Sequence, residues 1–149
     1  CCPGRFVFLQ TPVAKERIKP HLMPNNVVKT MTAPVLVIIA HDTRFFDHFA
    51  KLTPFRPENK DHFVDDEARA NIVAFRNGSL QGAYLMLAAR AVGLDCGPMS
   101  GFKNDGVDAE FFPDGHIKSN FICGLGEGDP ESIFERLPRF DFEEVCEIL

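Results

Sequence analysis

Residues 65–94 read DDEARANIVAFRNGSLQGAYLMLAARAVGL, and no other stretch restricts the fold so strongly. Ala74, Leu80, Ala83, Tyr84, Leu87, Ala88 and Ala91 fall near helical spacing, so the segment is predicted to be helical. Asp65, Asp66 and Glu67 crowd its start, where the helix dipole favours negative charge, and Gly93 is a suitable stop. The second half is apolar nearly all round, and a helix of that kind has to be buried. Gly82, Ala83, Ala88 and Ala89 are small enough for another helix to come close. The longest apolar run, Leu80 to Leu94, is broken by Gln81, Gly82, Arg90 and Gly93. It falls short of the ~18 to 20 apolar residues that cross a bilayer. The helix therefore needs a protein partner on every side.

The rest of the chain offers little to cover it. RFVFLQ (Arg5 to Gln10) reads as a short strand. Thr11 and Pro12 then suit an N-cap and a first helical position, and Val13, Arg17 and Ile18 outline a short amphipathic helix that Pro20 and Pro24 end. NNVVKTMT (Asn25 to Thr32) fits two helical turns. PVLVIIAHD (Pro34 to Asp42) is a β-branched run expected as a central strand buried on both faces. Thr43 to Asp61 carries Phe45, Phe46, Phe49 and Phe55 among charges and prolines; it reads as a short helix and an excursion that either packs on the core or covers a pocket. NDGVDAEFF suggests another short helix, HIKSNFICGLGEG (His116 to Gly128) a buried strand, and the remainder a loop with a helical turn and a helical end. Three strands make a thin sheet. The order implies one α+β or α/β domain spanning 1–149, whose long helix outgrows its sheet and meets its counterpart in a second copy.

Composition narrows the function. Hydrophobic residues make up 45% and charged residues 25%, the balance of an ordinary globular protein. The net charge is −5 and the Lys and Arg residues are scattered, which argues against nucleic acid and against an anionic membrane surface. The five cysteines, Cys1, Cys2, Cys96, Cys123 and Cys146, match no zinc spacing and read as free thiols of a reducing, cytoplasmic setting. No signal peptide is recognisable, and the abrupt CCPGRFVFLQ start leads us to expect further residues upstream of Cys1. No serine sits in a G-x-S-x-G elbow and no histidine in an H-E-x-x-H pattern. His41 with Asp42 reads as a polar pair at a strand end, and GLGEGD (Gly124 to Asp129) is a weak glycine cluster with no βαβ context.

Three local features suggest a binding site. GPMSGF (Gly97 to Phe102) leaves main-chain N–H groups that secondary structure cannot all use, and glycine lets a ligand approach the backbone; it also suits a plain tight turn. Asn26 and Lys29 lie three residues apart, hence on one helical face, and suit a polar heterocycle with partial negative charge; they equally suit a solvated helix surface. Arg136 and Arg139 suit phosphate, or surface ion pairs with Glu135, Asp141, Glu143 or Glu144.

In that order the features resemble the FMN-dependent nitroreductase family. The resemblance is carried by PGRFVFL, NNVVKTMTAPV, AFRNGSLQGAYLMLAARAVGLDCGPMSGF, KSNFICGLGEGD and RLPRFDFEEVCEIL, and is closest to the malonic semialdehyde reductase, or 3-hydroxypropionate dehydrogenase, branch. It implies an α+β nitroreductase-like sandwich with a small, mixed, mostly antiparallel sheet and long central helices that pair in a homodimer. It implies FMN at the dimer interface. Ser100 and Gly101 would offer N–H groups to flavin N5 and O4, and Pro98 and Met99 would pack on the ring. Asn26 and Lys29 would contact the pyrimidine edge and ribityl oxygens. Arg139, with Arg136 as second choice, would hold the phosphate. The family's Arg- and Ser-containing phosphate motif would lie upstream of Cys1, and Cys2 stands where many relatives carry Gln. NADH or NADPH would deliver hydride to flavin N5 in a ping-pong cycle and a small acceptor would take it away, with no metal and no side-chain nucleophile. The competing expectation is a dimeric module of the same fold that has lost FMN binding.

Overall fold

The computed structural model describes residues 1–149. Four strands, β1 (Gly4–Leu9), β2 (Val35–Asp42), β3 (Asp95–Met99) and β4 (Ile117–Gly126), form one sheet in the order β1-β2-β4-β3. Every neighbouring pair is antiparallel, so the sheet has no mixed character. The helices are α1 (Pro12–Ile18), α2 (Pro24–Thr32), α3 (Phe49–Leu52), α4 (Asp61–Val64), α5 (Glu67–Ala91), α6 (Asn104–Phe111) and α7 (Phe142–Val145). None of them is long and apolar enough to cross a membrane.

The alternation of side chains along β2 explains the two layers. Leu36, Ile38 and Ala40 join Leu9, Ile18, Leu22, Val107 and Ile122 in the larger core, on the side covered by α1, α2 and α6. Val37 and Ile39 join Ala89, Cys123 and Leu125 on the side covered by α5. The strand is thus buried on both faces, as its unbroken apolar run requires.

Local signals start the helices where expected. The Thr11 side chain accepts from Ala14 N at 3.2 Å, with Pro12 opening α1. The Asp66 side chain accepts from Arg69 N at 2.9 Å and opens α5. Lys15 is buried, and its Nζ donates to Met31 O and Ala33 O, both at 2.8 Å, which satisfies carbonyls left over at the end of α2.

Two expectations need correction. The glycine-rich segment begins as the fourth strand, β3, and turns irregular only after Met99. Pro98 is admissible there because β3 is an edge strand. Of the four small residues on α5, Ala83 and Ala88 stand exposed, but Gly82 and Ala89 do not receive another helix. They are buried against the sheet, with Ala70, Ala74 and Gly78. A Cβ on Gly82 would come within 2.7 Å of Phe121, and one on Gly78 within 2.7 Å of His41, so these glycines set how closely α5 lies on the strands. The apolar second half of α5, expected to meet a second copy, is left open within one chain. Leu80, Tyr84 and Leu87 are 55%, 71% and 64% exposed, because a four-stranded sheet covers only one side of the helix.

The stretch from Thr43 to Asp61 packs rather than covers the hollow described below. Phe45, Phe46 and Phe49 gather with Phe63, Ala70 and Ala74 in a separate apolar cluster, whose rings meet edge-on and stacked at 5.0–6.0 Å. Phe55 stays exposed.

Candidate functional site

A hollow of about 590 Å3 opens at the edge of the sheet where β3 and β4 run side by side. Four glycines contribute to its wall. Gly97 stands opposite Gly124 in the strand register, and Gly126 and Gly128 continue the same wall. Only Gly97 has open room beside its Cα; a Cβ on Gly126 would meet the Pro34 ring at 2.6 Å and one on Gly128 the Asp95 carboxylate at 3.0 Å, so those glycines let neighbouring segments close in. Pro98, Met99, Leu125 and Ile133 supply apolar surface, and Lys29 supplies a cation. Lys29 is exposed and forms no ion pair within the chain, so its charge is free for a ligand.

The other rim is fastened by Asp95. One of its oxygens accepts from Gly128 N at 2.7 Å, and the other pairs with Arg90. The Gly128 N–H first and the Arg90 guanidinium second hold the Asp95 carboxyl below the usual carboxylate range. Cys96 also lines the hollow, with Cys123 buried behind it. Burial, and then the neighbouring Cys96 thiol, push Cys123 up to about 11, so it stays a neutral thiol at physiological pH. All five cysteines are free.

Beyond Met99 the chain leaves the strand and is tied to the α1–α2 side of the molecule. Gly101 O accepts from Met23 N at 3.0 Å and from Asn26 Nδ2 at 3.1 Å. Phe102 N donates back to Ser100 O at 3.0 Å, and Phe102 bridges to Leu22. Neither the Ser100 N–H nor the Gly101 N–H finds an acceptor within the chain. Two adjacent free donors on a fastened backbone can bind an acceptor edge without reorganising.

Of the residues singled out in the sequence, Lys29, Pro98 and Met99 thus meet in the wall of one hollow, and Ser100 and Gly101 follow directly from it. Asn26 does not share the face of Lys29. It is buried beside Thr30 on the inward side of α2 and reaches the Gly101 carbonyl instead. Arg136 and Arg139 lie on an exposed segment away from the hollow, and Arg139 donates to the carbonyls of Leu137 and Pro138. Neither arginine makes the surface ion pairs that their neighbourhood suggested.

No protein-family model matches the chain. A protein of Cupriavidus pinatubonensis is 53% identical over 150 residues, covering 99% of this chain and 76% of the relative; its name places it provisionally as an NADH dehydrogenase/NAD(P)H nitroreductase. The HadB protein of Ralstonia pickettii, provisionally named in the same way, is 54% identical over 148 residues, covering 98% of this chain and 76% of its own. This chain belongs to the NADH dehydrogenase/NAD(P)H nitroreductase family. The nitroreductase fold agrees with it. A provisional nitroreductase of Exiguobacterium sibiricum, solved in complex with FMN, superposes with a TM-score of 0.85 at 16% identity, over 99% of this chain and 77% of that one.

Two features of this site carry no clear signal in the sequence. The sequence offers GLGEGD only as a weak glycine cluster, yet Gly124, Gly126 and Gly128 line the hollow opposite β3. The available signal was the pairing of two glycine-rich segments, each near a strand end. Thr30 carried no signal at all, since a threonine inside a helix is commonplace.

Proposed function

We propose that the chain is a single nitroreductase-fold domain that binds FMN at the β3–β4 hollow and oxidises NADH or NADPH at the expense of a small acceptor. The observation that carries this reading is the pair of free N–H groups at Ser100 and Gly101, directly after the hollow that Lys29 lines. The residues fit the group. The hollow lies within the ~300–1,000 Å3 typical of cofactor sites, Pro98 and Met99 give it apolar surface for a flat ring, Lys29 lines it with a cation, and the free N–H groups of Ser100 and Gly101 come directly after Met99 in the chain. FMN, when bound, accepts and passes on a hydride.

The chain's own residues bind and orient. Ser100 N–H and Gly101 N–H donate to acceptors on the ring edge. Lys29 draws negative charge toward its end of the hollow and stabilises it there. Pro98 and Met99 pack against the ring face. Asn26 holds the Gly101 carbonyl, and its Oδ1 is left to accept from the pyrimidine edge. Arg139, and less directly Arg136, would serve the phosphate from the exposed C-terminal segment.

The homodimer reading is supported by apolar surface with nothing over it. Leu80, Tyr84 and Leu87 on α5 and Phe134, Leu137 and Phe140 on the C-terminal segment are all more than half exposed. The free thiols support a reducing, cytoplasmic setting. Candidate acceptors are nitro compounds, quinones and malonic semialdehyde, the last from the branch that the sequence resembles, and turnover is ping-pong because both substrates use one hollow.

The test is to purify the full-length protein with FMN, record its spectrum from 300 to 550 nm, and follow NADH and NADPH oxidation with a nitroarene, a quinone and malonic semialdehyde. Retained flavin, acceptor-dependent oxidation and parallel double-reciprocal lines are expected. A colourless protein that oxidises neither nucleotide would instead be a dimeric module without the cofactor.

A further inference from the structure

Thr30 is completely buried in α2, and its hydroxyl has one partner, the thioether sulfur of Met99, at 3.9 Å. That partner is a weak acceptor. Burying a hydroxyl against so poor a partner costs more than it returns, and a valine of the same shape would serve the core at least as well. Stability does not account for the hydroxyl; its neighbour does. Met99 is the last residue of β3 and stands immediately before Ser100. One helical turn earlier on the same inward face, Asn26 donates to the carbonyl of Gly101, the residue immediately after Ser100.

We propose that Thr30 and Asn26 are positioning residues that grip both sides of Ser100 and aim its N–H and that of Gly101 into the ligand site. This rests on the reading of the hollow as an FMN site, and it adds Thr30 to that site and pairs it with Asn26 as a second hold on the loop. Glycine at 101 leaves the backbone free to rotate, so without a hold the two donors would sample many directions and binding would have to order them. α2 therefore serves the site twice. Lys29 faces it directly, and Asn26 and Thr30 fix the loop from behind.

The decisive variant is Thr30→Val, with Thr30→Ser as the rescue and Asn26→Ala as the second grip. Backbone 15N relaxation of Ser100 and Gly101, read by NMR on the FMN-free full chain, reports the order of the loop without any cofactor. FMN affinity is read by fluorescence quenching and folding by the melting temperature. For Thr30→Val the expected result is an unchanged or raised melting temperature, order parameters at the two amides that fall from the rigid range to below about 0.6, and FMN binding weaker by about fivefold. Thr30→Ser restores both, and Asn26→Ala lowers the same order parameters. Unchanged order parameters in Thr30→Val overturn the proposal, whether or not the melting temperature falls. If wild-type protein binds no FMN, the cofactor reading fails while the relaxation measurement still decides the grip.

Discussion

Gly101 has no side chain, and the space beside its Cα is taken by the Asn26 amide that bonds to its carbonyl. A methyl group there would have to displace that amide from a buried position. Gly101→Ala is expected to lower stability by about 1–3 kcal/mol, as overpacking does, and to weaken FMN binding beyond that loss; thermal unfolding and a fluorescence titration check both. His41 behaves differently. It is buried against Phe75, at 5.6 Å between ring centroids, and its Nδ1 has no partner. Burial, more than the opposing pull of Asp108 and Asp42, lowers its pKa from 6.5. The unfolded chain therefore takes up this proton first as pH falls, so stability is complete above about 6.5 and declines below it, toward the folded-state value. Urea unfolding between pH 7.5 and 5 should show that decline in the wild type, and His41→Gln should flatten it.

Helix α5 combines two opposite faces. Its inward stripe, Ala70, Ala74, Gly78, Gly82 and Ala89, is small enough to lie close on the strands. Its outward stripe, with Leu80, Tyr84 and Leu87, has no counterpart in the same chain. The sequence shows both stripes as one apolar helix and gives no hint of which residues turn which way, because small and large apolar residues alike satisfy helical spacing. Our prediction is that the proposed homodimer packs through this stripe, so that the wild type is a dimer in light-scattering chromatography and Leu87→Glu a monomer, while far-UV circular dichroism keeps its helical signal. A charge on that stripe costs little when exposed and much when enclosed by a second copy. Retention of the dimer would place the subunit contact elsewhere. β3 carries a similar lesson. Glycine and proline argue against a strand, yet an edge position requires neither the missing N–H nor a side chain on the outer side.

At the scale of the molecule, the candidate site joins segments far apart in the chain, since Lys29, Met99 and Gly124 meet only because β3 lies beside β4 and α2 lies at the strand ends. Ligand binding should therefore stabilise the whole fold. With FMN at about 100 times its Kd, stability should rise by about 2.7 kcal/mol, read as a concentration-dependent melting temperature. An unchanged melting temperature at saturating FMN would mean that the hollow does not hold it.

By itself the sequence determined what depends on neighbours along the chain. The central strand follows from an unbroken β-branched run, the α1 start from Thr11 and Pro12, and the extent of α5 from helical spacing. Lys29 and the bare backbone around Ser100 were legible for the same reason, since a lone cation and a glycine run stand out locally. Only the tertiary structure decided that Asn26 turns inward to Gly101 while Lys29 faces the hollow, that the two glycine segments oppose each other, and that Thr30 touches Met99. Those facts depend on strand order and on how closely a helix packs, and both are settled by contacts between residues distant in the chain, which no local spacing encodes.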